Sequence, residues 1–177
     1  AALARPAIDA WLAAADALMG VHVPSIAAWT RAHPTLAHAL TLAYDTFALQ
    51  ILLAAPVLVL IGHRLHLWEC IWHLHVCLVV TLLCFALWPA ACAFTWYGFE
   101  STLPQQMFTA HFDGFRSGAL RVVDFRNVTG LVSAPSFHVA GALVLTWATR
   151  SRLWVFVPLV LLNATLCVAT VLSGAHY

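Results

Sequence analysis

Four long apolar runs alternate with short polar stretches along this chain. They cover residues 36–61, 67–96, 132–149 and 153–173. Each run is close to or longer than the roughly 20 residues that an α-helix needs to cross a bilayer. Because lipid offers no hydrogen-bond partners, the backbone groups of such runs must be bonded within the segment, which favours helices. The pattern predicts an all-α, polytopic transmembrane helical bundle with about four spans.

The N-terminal stretch has a different pattern, typical of an amphipathic helix. One face would carry the apolar residues Ile8, Trp11, Leu12, Ala15, Leu18 and Met19. Asp9 and Asp16 fall on another face. Such a helix either lies along the membrane interface or packs on the end of the bundle. We predict a single membrane-embedded domain over 1–177, with an interfacial helical segment at 1–33 and a transmembrane core at 34–177.

Composition agrees with a membrane protein. The chain is 63% hydrophobic and 8% charged, whereas soluble domains carry about 25% charged residues. The formal net charge of +1 gives no basis for nucleic-acid binding. All eight basic residues are arginines, and the five cysteines, mostly within apolar runs, are typical of small buried hydrophobes.

Two histidines are predicted to meet at one membrane face. His138 lies near the start of the third apolar run, and His176 follows the end of the fourth. An antiparallel hairpin of these two runs returns both histidines to the same side. The long polar loop 97–131 lies on that side as well, and a loop of this length is usually either functional or disordered. The loop is therefore the predicted active-site loop.

The residues around both histidines carry a family resemblance. The first stretch reads Ser133-Ala134-Pro135-Ser136-Phe137-His138, and the second reads Gly174-Ala175-His176-Tyr177. They resemble the second and third signature motifs of the type 2 phosphatidic acid phosphatase superfamily. The form of the second motif is closest to the branch that contains inositol phosphorylceramide synthases.

The resemblance implies phosphoryl-transfer chemistry. His176 matches the nucleophile that forms a phosphohistidine, His138 matches the acid that protonates the departing alcohol, and Ser136 matches a hydrogen-bond donor to a phosphoryl oxygen. Imidazole suits the first two roles because its pKa lies near 6.5. The family pattern also places an aspartate four residues after the nucleophile and a further span beyond it, and we expect both to lie beyond Tyr177.

The implied activity is a membrane lipid phosphate phosphatase that needs no metal and no cofactor. The alternative is a lipid phosphotransferase that moves a phospho-headgroup to an alcohol acceptor, because both reactions share the first step. A second alternative is a non-catalytic membrane protein that binds lipid or acts as a scaffold. The expected partners are a lipid phosphate and the bilayer, with no nucleic acid, and the sequence leaves the oligomeric state open.

Phosphate binding requires cations, which in this chain must be arginines. Arg116 in the polar loop is the first candidate, Arg121 the second and Arg126 a third. The planar guanidinium matches two phosphate oxygens at once. The alternative is that these arginines pair with Asp113 and Asp124 on a solvated face.

Asp45 is a further candidate site residue because it lies well inside the first apolar run. A carboxylate at this depth is costly in lipid and therefore marks a possible functional position. Alternatively, Asp45 shares hydrogen bonds with Tyr44 and Gln50 inside the bundle.

Histidines and cysteines elsewhere allow metal or haem interpretations. One helical face carries His66, Cys70, His73 and Cys77. This mixture of ligands suits zinc, although one straight helix rarely supplies a tetrahedral site, so packing is the favoured interpretation and we predict no metal site. Haem ligation by residues such as His38, His73 or His75 is a further alternative.

The distribution of arginines bears on membrane orientation. Arg64, Arg150 and Arg152 lie in short loops opposite the predicted site, and short basic loops favour the cytoplasm. We therefore expect an integral protein of a bacterial inner membrane, with its active site on the extracytoplasmic face. The bacterial origin rests on the richness in alanine and the lack of lysine.

Overall fold

The computed structural model describes residues 5–62, 64–99, 102–122 and 132–176. Within these residues every regular element is a helix. The helices are α1 (Asp9–Leu18), α2 (Val23–Arg31), α3 (Pro34–Leu60), α4 (Arg64–Leu87), α5 (Ala93–Tyr97), α6 (Leu103–Ser117), α7 (Phe137–Ala148) and α8 (Leu153–Leu172). The prediction of an all-α bundle is thereby confirmed.

Three of the described helices are long and apolar enough to cross a membrane. These are α3, α4 and α8, with 27, 24 and 20 residues. The number rises to four if α1 and α2, whose axes are 83° apart, count as one broken span. The run predicted at 132–149 forms α7, whose 12 residues extend only about 18 Å. A hydrocarbon core is about 30 Å thick, so α7 is too short to cross it alone.

The N-terminal helix α1 packs against the bundle through its two aspartates, and its apolar side chains are exposed. Asp9 and Asp16 on α1 are 1% and 5% exposed, whereas Trp11 and Leu18 are 80% and 91% exposed. Gly20, with φ of +73°, makes the bend between α1 and α2. The apolar face of α1 is therefore available to lipid while its polar face contacts the bundle.

The second apolar run ends earlier than its hydropathy predicts. The helix α4 stops at Leu87, two residues before Pro89, and the short α5 follows. Proline lacks the N–H that would continue the helical ladder, and the residue before it avoids helical geometry. The run predicted at 67–96 is thus a span followed by a turn and a separate short helix.

Residues 89–92, named the central turn here, are buried between α4 and α5. Buried backbone groups need hydrogen-bond partners, and other elements supply them. Ala91 N donates to Asp9 Oδ2 at 3.0 Å. The Ser133 hydroxyl lies 2.6 Å and 2.8 Å from the carbonyl oxygens of Ala90 and Ala91. The central turn therefore joins α1 to the segment that leads into α7.

The stretch predicted as a polar loop, 97–131, contains the helix α6. Its start has a capping box, in which the side chains of Thr102 and Gln105 each bond the other's backbone N–H. Phe108 and Phe112 on its inner face are buried against the central turn and α5. Residues 123–131, which include the candidate Arg126, lie outside the described part of the chain.

The bundle core is built around α7, which packs against α4 and α8. Its buried cluster consists of Phe47, Leu58, Cys70, Ala142, Leu145, Ala148 and Leu166. Gly141 allows a close approach, since an added Cβ would lie 2.5 Å from the Phe47 ring. Asn163 on α8 donates to the Ala142 carbonyl and to Thr146 Oγ1, at 3.0 Å and 2.8 Å. These contacts fix α7 and α8 as a hairpin.

Candidate active site

The α7–α8 hairpin brings the two predicted histidines together. His138 lies in the first turn of α7, and His176 follows the end of α8. Their ring centroids are 6.1 Å apart, with the ring planes at 54°. One phosphoryl group is small enough to contact both rings across such a gap.

His176 is held in a defined orientation and tautomer. Its ring is 5% exposed, and its backbone N–H donates to the Thr170 carbonyl at 3.1 Å. Its Nδ1 is hydrogen-bonded to the Ser133 carbonyl oxygen. Because a carbonyl only accepts, Nδ1 carries the hydrogen and Nε2 keeps its lone pair. Burial lowers the pKa of His176, and the bond to the Ser133 carbonyl partly opposes this shift.

The Ser136 hydroxyl donates to the unprotonated Nε2 of His176. Its Oγ is 3.4 Å from His176 Nε2, and it also accepts the backbone N–H of Val139 at 3.3 Å. The second contact caps the N-terminus of α7, where unpaired N–H groups favour an anion. Ser136 thus lies between the lone pair of His176 and the positive end of a helix.

His138 stacks on the Tyr44 ring of α3 and contacts the tilted Phe47 ring of the same helix. The Tyr44 ring lies 4.3 Å from it at 19°, and the Phe47 ring lies 4.7 Å away at 41°. Tyr44 Oη is 3.3 Å from His138 Nδ1. Since Nδ1 is engaged by this hydroxyl, Nε2 is the nitrogen left to face a substrate.

Both histidines line a cavity of about 770 Å³ between α2, α3, α5, α6 and the α7–α8 hairpin. Its polar lining includes Tyr44, Asp45 and Arg31, and much of the rest is apolar. Small-molecule sites are commonly cavities of about 300–1,000 Å³ with mainly apolar walls and a few placed polar groups. The cavity therefore has the size and the mainly apolar lining of a small-molecule site.

A family model described as the PAP2 superfamily matches residues 10–177. The chain belongs to the PAP2 superfamily. This is the type 2 phosphatidic acid phosphatase superfamily that the sequence resembles. No curated protein and no solved structure matches the chain. Membership supports, in general terms, a phosphatase-type activity on lipid phosphates in an integral membrane protein.

Two of the arginines predicted for phosphate binding in this PAP2 protein, Arg116 and Arg121, lie away from the cavity. Arg116 on α6 donates to the Arg5 carbonyl at 2.8 Å and lies over the Phe112 ring at 5.5 Å. Arg121 is exposed beyond the end of α6. Neither is among the residues that line the cavity. Among the described residues of its lining, the one arginine is Arg31, which the sequence motifs do not indicate.

Asp45 lines the cavity from α3, one residue from Tyr44. The predicted bonds of its neighbours go elsewhere, since Tyr44 contacts His138 and Gln50 Nε2 donates to Thr46 Oγ1 at 3.0 Å. Asp45 thus lines the cavity, while Tyr44 and Gln50 form hydrogen bonds with other residues.

The face of α4 that carries the histidines and cysteines considered as metal ligands lies at the opposite end of the bundle from His138 and His176. A second cavity of about 250 Å³ there is lined by Glu69, Cys70, His73 and Arg150, among others. Glu69 pairs with Arg150 at 3.0 Å. Across the described residues, no three side chains of the metal-binding types come together as a cluster. His75 Nδ1 bonds the Ile71 carbonyl of its own helix at 2.7 Å.

Proposed function

We propose that this PAP2 protein is a membrane lipid phosphate phosphatase that works through a phosphohistidine intermediate. The observation that carries the proposal is the hydrogen bond from His176 Nδ1 to the Ser133 carbonyl. It leaves Nε2 unprotonated, where it accepts the Ser136 hydroxyl at 3.4 Å, in a cavity shared with a second histidine. An imidazole whose Nδ1 hydrogen is fixed by an acceptor is the arrangement that a nucleophilic histidine needs.

The first step forms a phosphorus–nitrogen bond. His176 Nε2 attacks the phosphorus as the phosphorus–oxygen bond to the lipid alcohol breaks. His138, protonated at Nε2, gives that proton to the departing oxygen, so that the lipid leaves as a neutral alcohol. Ser136 Oγ and the N-terminus of α7 stabilise the negative phosphoryl oxygens. The products of this step are the free alcohol and phosphorylated His176.

The second step returns the enzyme to its starting state. Water attacks the phosphorus, His138 Nε2 takes up a proton from that water, and the bond to His176 breaks. Inorganic phosphate leaves. The roles proposed for the two histidines use no metal ion and no cofactor.

Transfer to an alcohol, as in inositol phosphorylceramide synthases, is the second candidate function. Asp45 in the cavity favours it, because a carboxylate accepts a hydrogen bond from an acceptor hydroxyl. The phosphohistidine step is unchanged, and the alcohol replaces water. A non-catalytic lipid-binding role is the third possibility and would leave His138 and His176 without chemistry.

The proposed substrate is a lipid phosphate that enters from the bilayer, with its headgroup at the histidines and its tails along the apolar wall. We further propose that the cavity opens on the extracytoplasmic face of a bacterial inner membrane. Arg64, Arg150 and Arg152 would then lie at the opposite, cytoplasmic end.

Phosphate release from a panel of lipid phosphates tests the proposal. The detergent-purified protein is compared with His138→Ala and with the control His75→Ala, whose ring bonds only its own helix in the described structure. We expect a loss of roughly 100-fold or more in the first variant, as for other general acids, and little change in the control. If product forms only when an alcohol acceptor is added, the result favours the transfer reaction. If neither hydrolysis nor transfer is detected, the result favours the non-catalytic role.

A further inference from the structure

We infer that Arg31 binds the phosphoryl group, so that the N-terminal helix α2 is part of the active site. The inference rests on the proposed phosphatase function and names a residue that neither the motifs nor the family match assigns. It gives Arg31, rather than Arg116 or Arg121, as the positive charge in the cavity that both histidines line.

The first observation is the position of Arg31. Among the described residues that line the cavity, Arg31 is the single lysine or arginine, and both histidines line the same cavity. Asp45 lines it too. A phosphate dianion between two imidazoles and near a carboxylate requires a compensating cation.

The second observation is that Arg31 is held in place while most of its donors stay available. One Nη donates to the Phe99 carbonyl at 3.2 Å, and the guanidinium lies 5.3 Å from the centroid of the Phe99 ring. A guanidinium has five N–H donors in a fixed plane. The bond to Phe99 uses one, which leaves a fork for two phosphoryl oxygens.

The third observation links this anchor to the nucleophile. The Phe99 ring lies against Gly174, where an added Cβ would be 2.7 Å from the ring. The Gly174 carbonyl accepts the backbone N–H of Phe94 at 3.0 Å. Gly174 is two residues before His176, so Phe99 contacts both the guanidinium and the segment that carries the nucleophile.

The bundle also fixes the helix that carries Arg31. The helix α2 packs against α3, α5 and α8. Its residues Val23, Ala27 and Thr30 are 1%, 3% and 5% exposed. Because Arg31 directly follows this buried face, its backbone is positioned by tertiary packing and its side chain extends from a rigid element to the cavity.

Phosphate release and inhibition by inorganic phosphate measure the role of Arg31. We compare Arg31→Gln with Arg116→Gln, the competing assignment, and with Arg152→Gln at the far end of α8. We expect Arg31→Gln to lower kcat/KM and to weaken phosphate inhibition by about 10- to 100-fold, with Arg152→Gln unchanged. Arg31→Lys, which keeps a charge without the fork, should fall between wild type and Arg31→Gln.

Wild-type protein provides a second readout that does not depend on a folded variant. Phenylglyoxal modifies accessible arginines, and mass spectrometry reports the modified fraction at each site. Orthovanadate, a phosphate mimic, should protect Arg31 and leave Arg152 unprotected. The inference is overturned, and the phosphatase proposal stands, if orthovanadate does not protect Arg31 from modification. The same holds if kcat/KM of Arg31→Gln lies within threefold of that of an active wild type. An inactive wild type overturns that proposal instead.

Discussion

The Ser133 carbonyl oxygen accepts the Nδ1 hydrogen of His176, and the Ser133 hydroxyl donates to the central turn. One residue therefore orients the proposed nucleophile through its backbone while its side chain is anchored in the core. Ser133 is 1% exposed, which is consistent with this structural anchoring. The main-chain carbonyl of Ser133 fixes the tautomer of His176 in which Nδ1 carries the hydrogen.

Ser133→Ala should impair both stability and turnover. The change removes the hydroxyl and leaves buried carbonyl oxygens of the central turn without this donor, at a cost of about 1–3 kcal/mol. The Ser133 carbonyl then loses its anchor, and we expect kcat to fall about 10-fold with a smaller change in KM. Ser117→Ala is the control, because Ser117 is exposed and bonds Gly114 within its own helix turn. Equal kcat values in the two variants would contradict the positioning role.

The rate should depend on pH in the direction set by the burial of His176. Burial lowers the pKa of this imidazole below its ordinary value of about 6.5. A lowered pKa keeps Nε2 unprotonated at more acidic pH, so nucleophilic activity persists there. On the acidic side of the pH profile, we expect kcat/KM to fall with a midpoint below pH 6.5. The profile is first corrected for ionisation of the substrate phosphate, whose second pKa is about 6. An acid limb at or above pH 6.5 would argue against a buried nucleophile.

Tyr44→Phe should weaken the acid function of His138 while keeping its stacked ring. The variant loses the hydroxyl that lies 3.3 Å from His138 Nδ1. We expect kcat to fall about 10-fold for lipid phosphates, in which the alcohol must be protonated. The defect should shrink for p-nitrophenyl phosphate, because its leaving group departs without a proton.

The control for this comparison is Tyr97→Phe, since Tyr97 stacks near Phe99 rather than on a histidine. A defect of the same size with both substrates would mean that Tyr44 acts on folding or binding. That result would remove its link to the leaving-group proton.

Gly141→Ala should destabilise the bundle next to the site. The added Cβ would lie 2.5 Å from the Phe47 ring, which itself contacts His138. Overpacking of this kind costs about 1–3 kcal/mol. We expect a lower Tm in detergent and reduced activity from a displaced His138. Gly141→Ala with Phe47→Leu should recover part of the Tm loss, and no recovery would contradict the steric explanation.

Hydropathy predicted most of the bundle because lipid imposes a simple length and composition rule. The runs at 36–61 and 153–173 correspond to α3 and α8 within a few residues. The antiparallel hairpin then predicted that His138 and His176 share one end of the molecule, as they do. That inference depended on chain direction alone, so no side-chain detail was needed.

The sequence was less informative where tertiary packing decides. The helix α6 was predicted as loop because it is polar overall, although Thr102 and Gln105 form a capping box that marks its start. Arg31 was overlooked because its location depends on the 83° bend between α1 and α2 and on the packing of α2. The contact of Ser133 with His176 is formed by a backbone carbonyl, which no side-chain pattern encodes.

A rapid-quench search for the covalent intermediate tests the central claim most directly. Protein is mixed with a ³²P-labelled lipid phosphate, quenched in base and analysed for protein-bound label. We predict a label that is stable in base, lost in acid, located at His176 by mass spectrometry and absent from His176→Ala. Two results would contradict the phosphohistidine mechanism. In the first, wild-type protein releases phosphate catalytically but carries no protein-bound label at any quench time. In the second, the protein-bound label persists in His176→Ala.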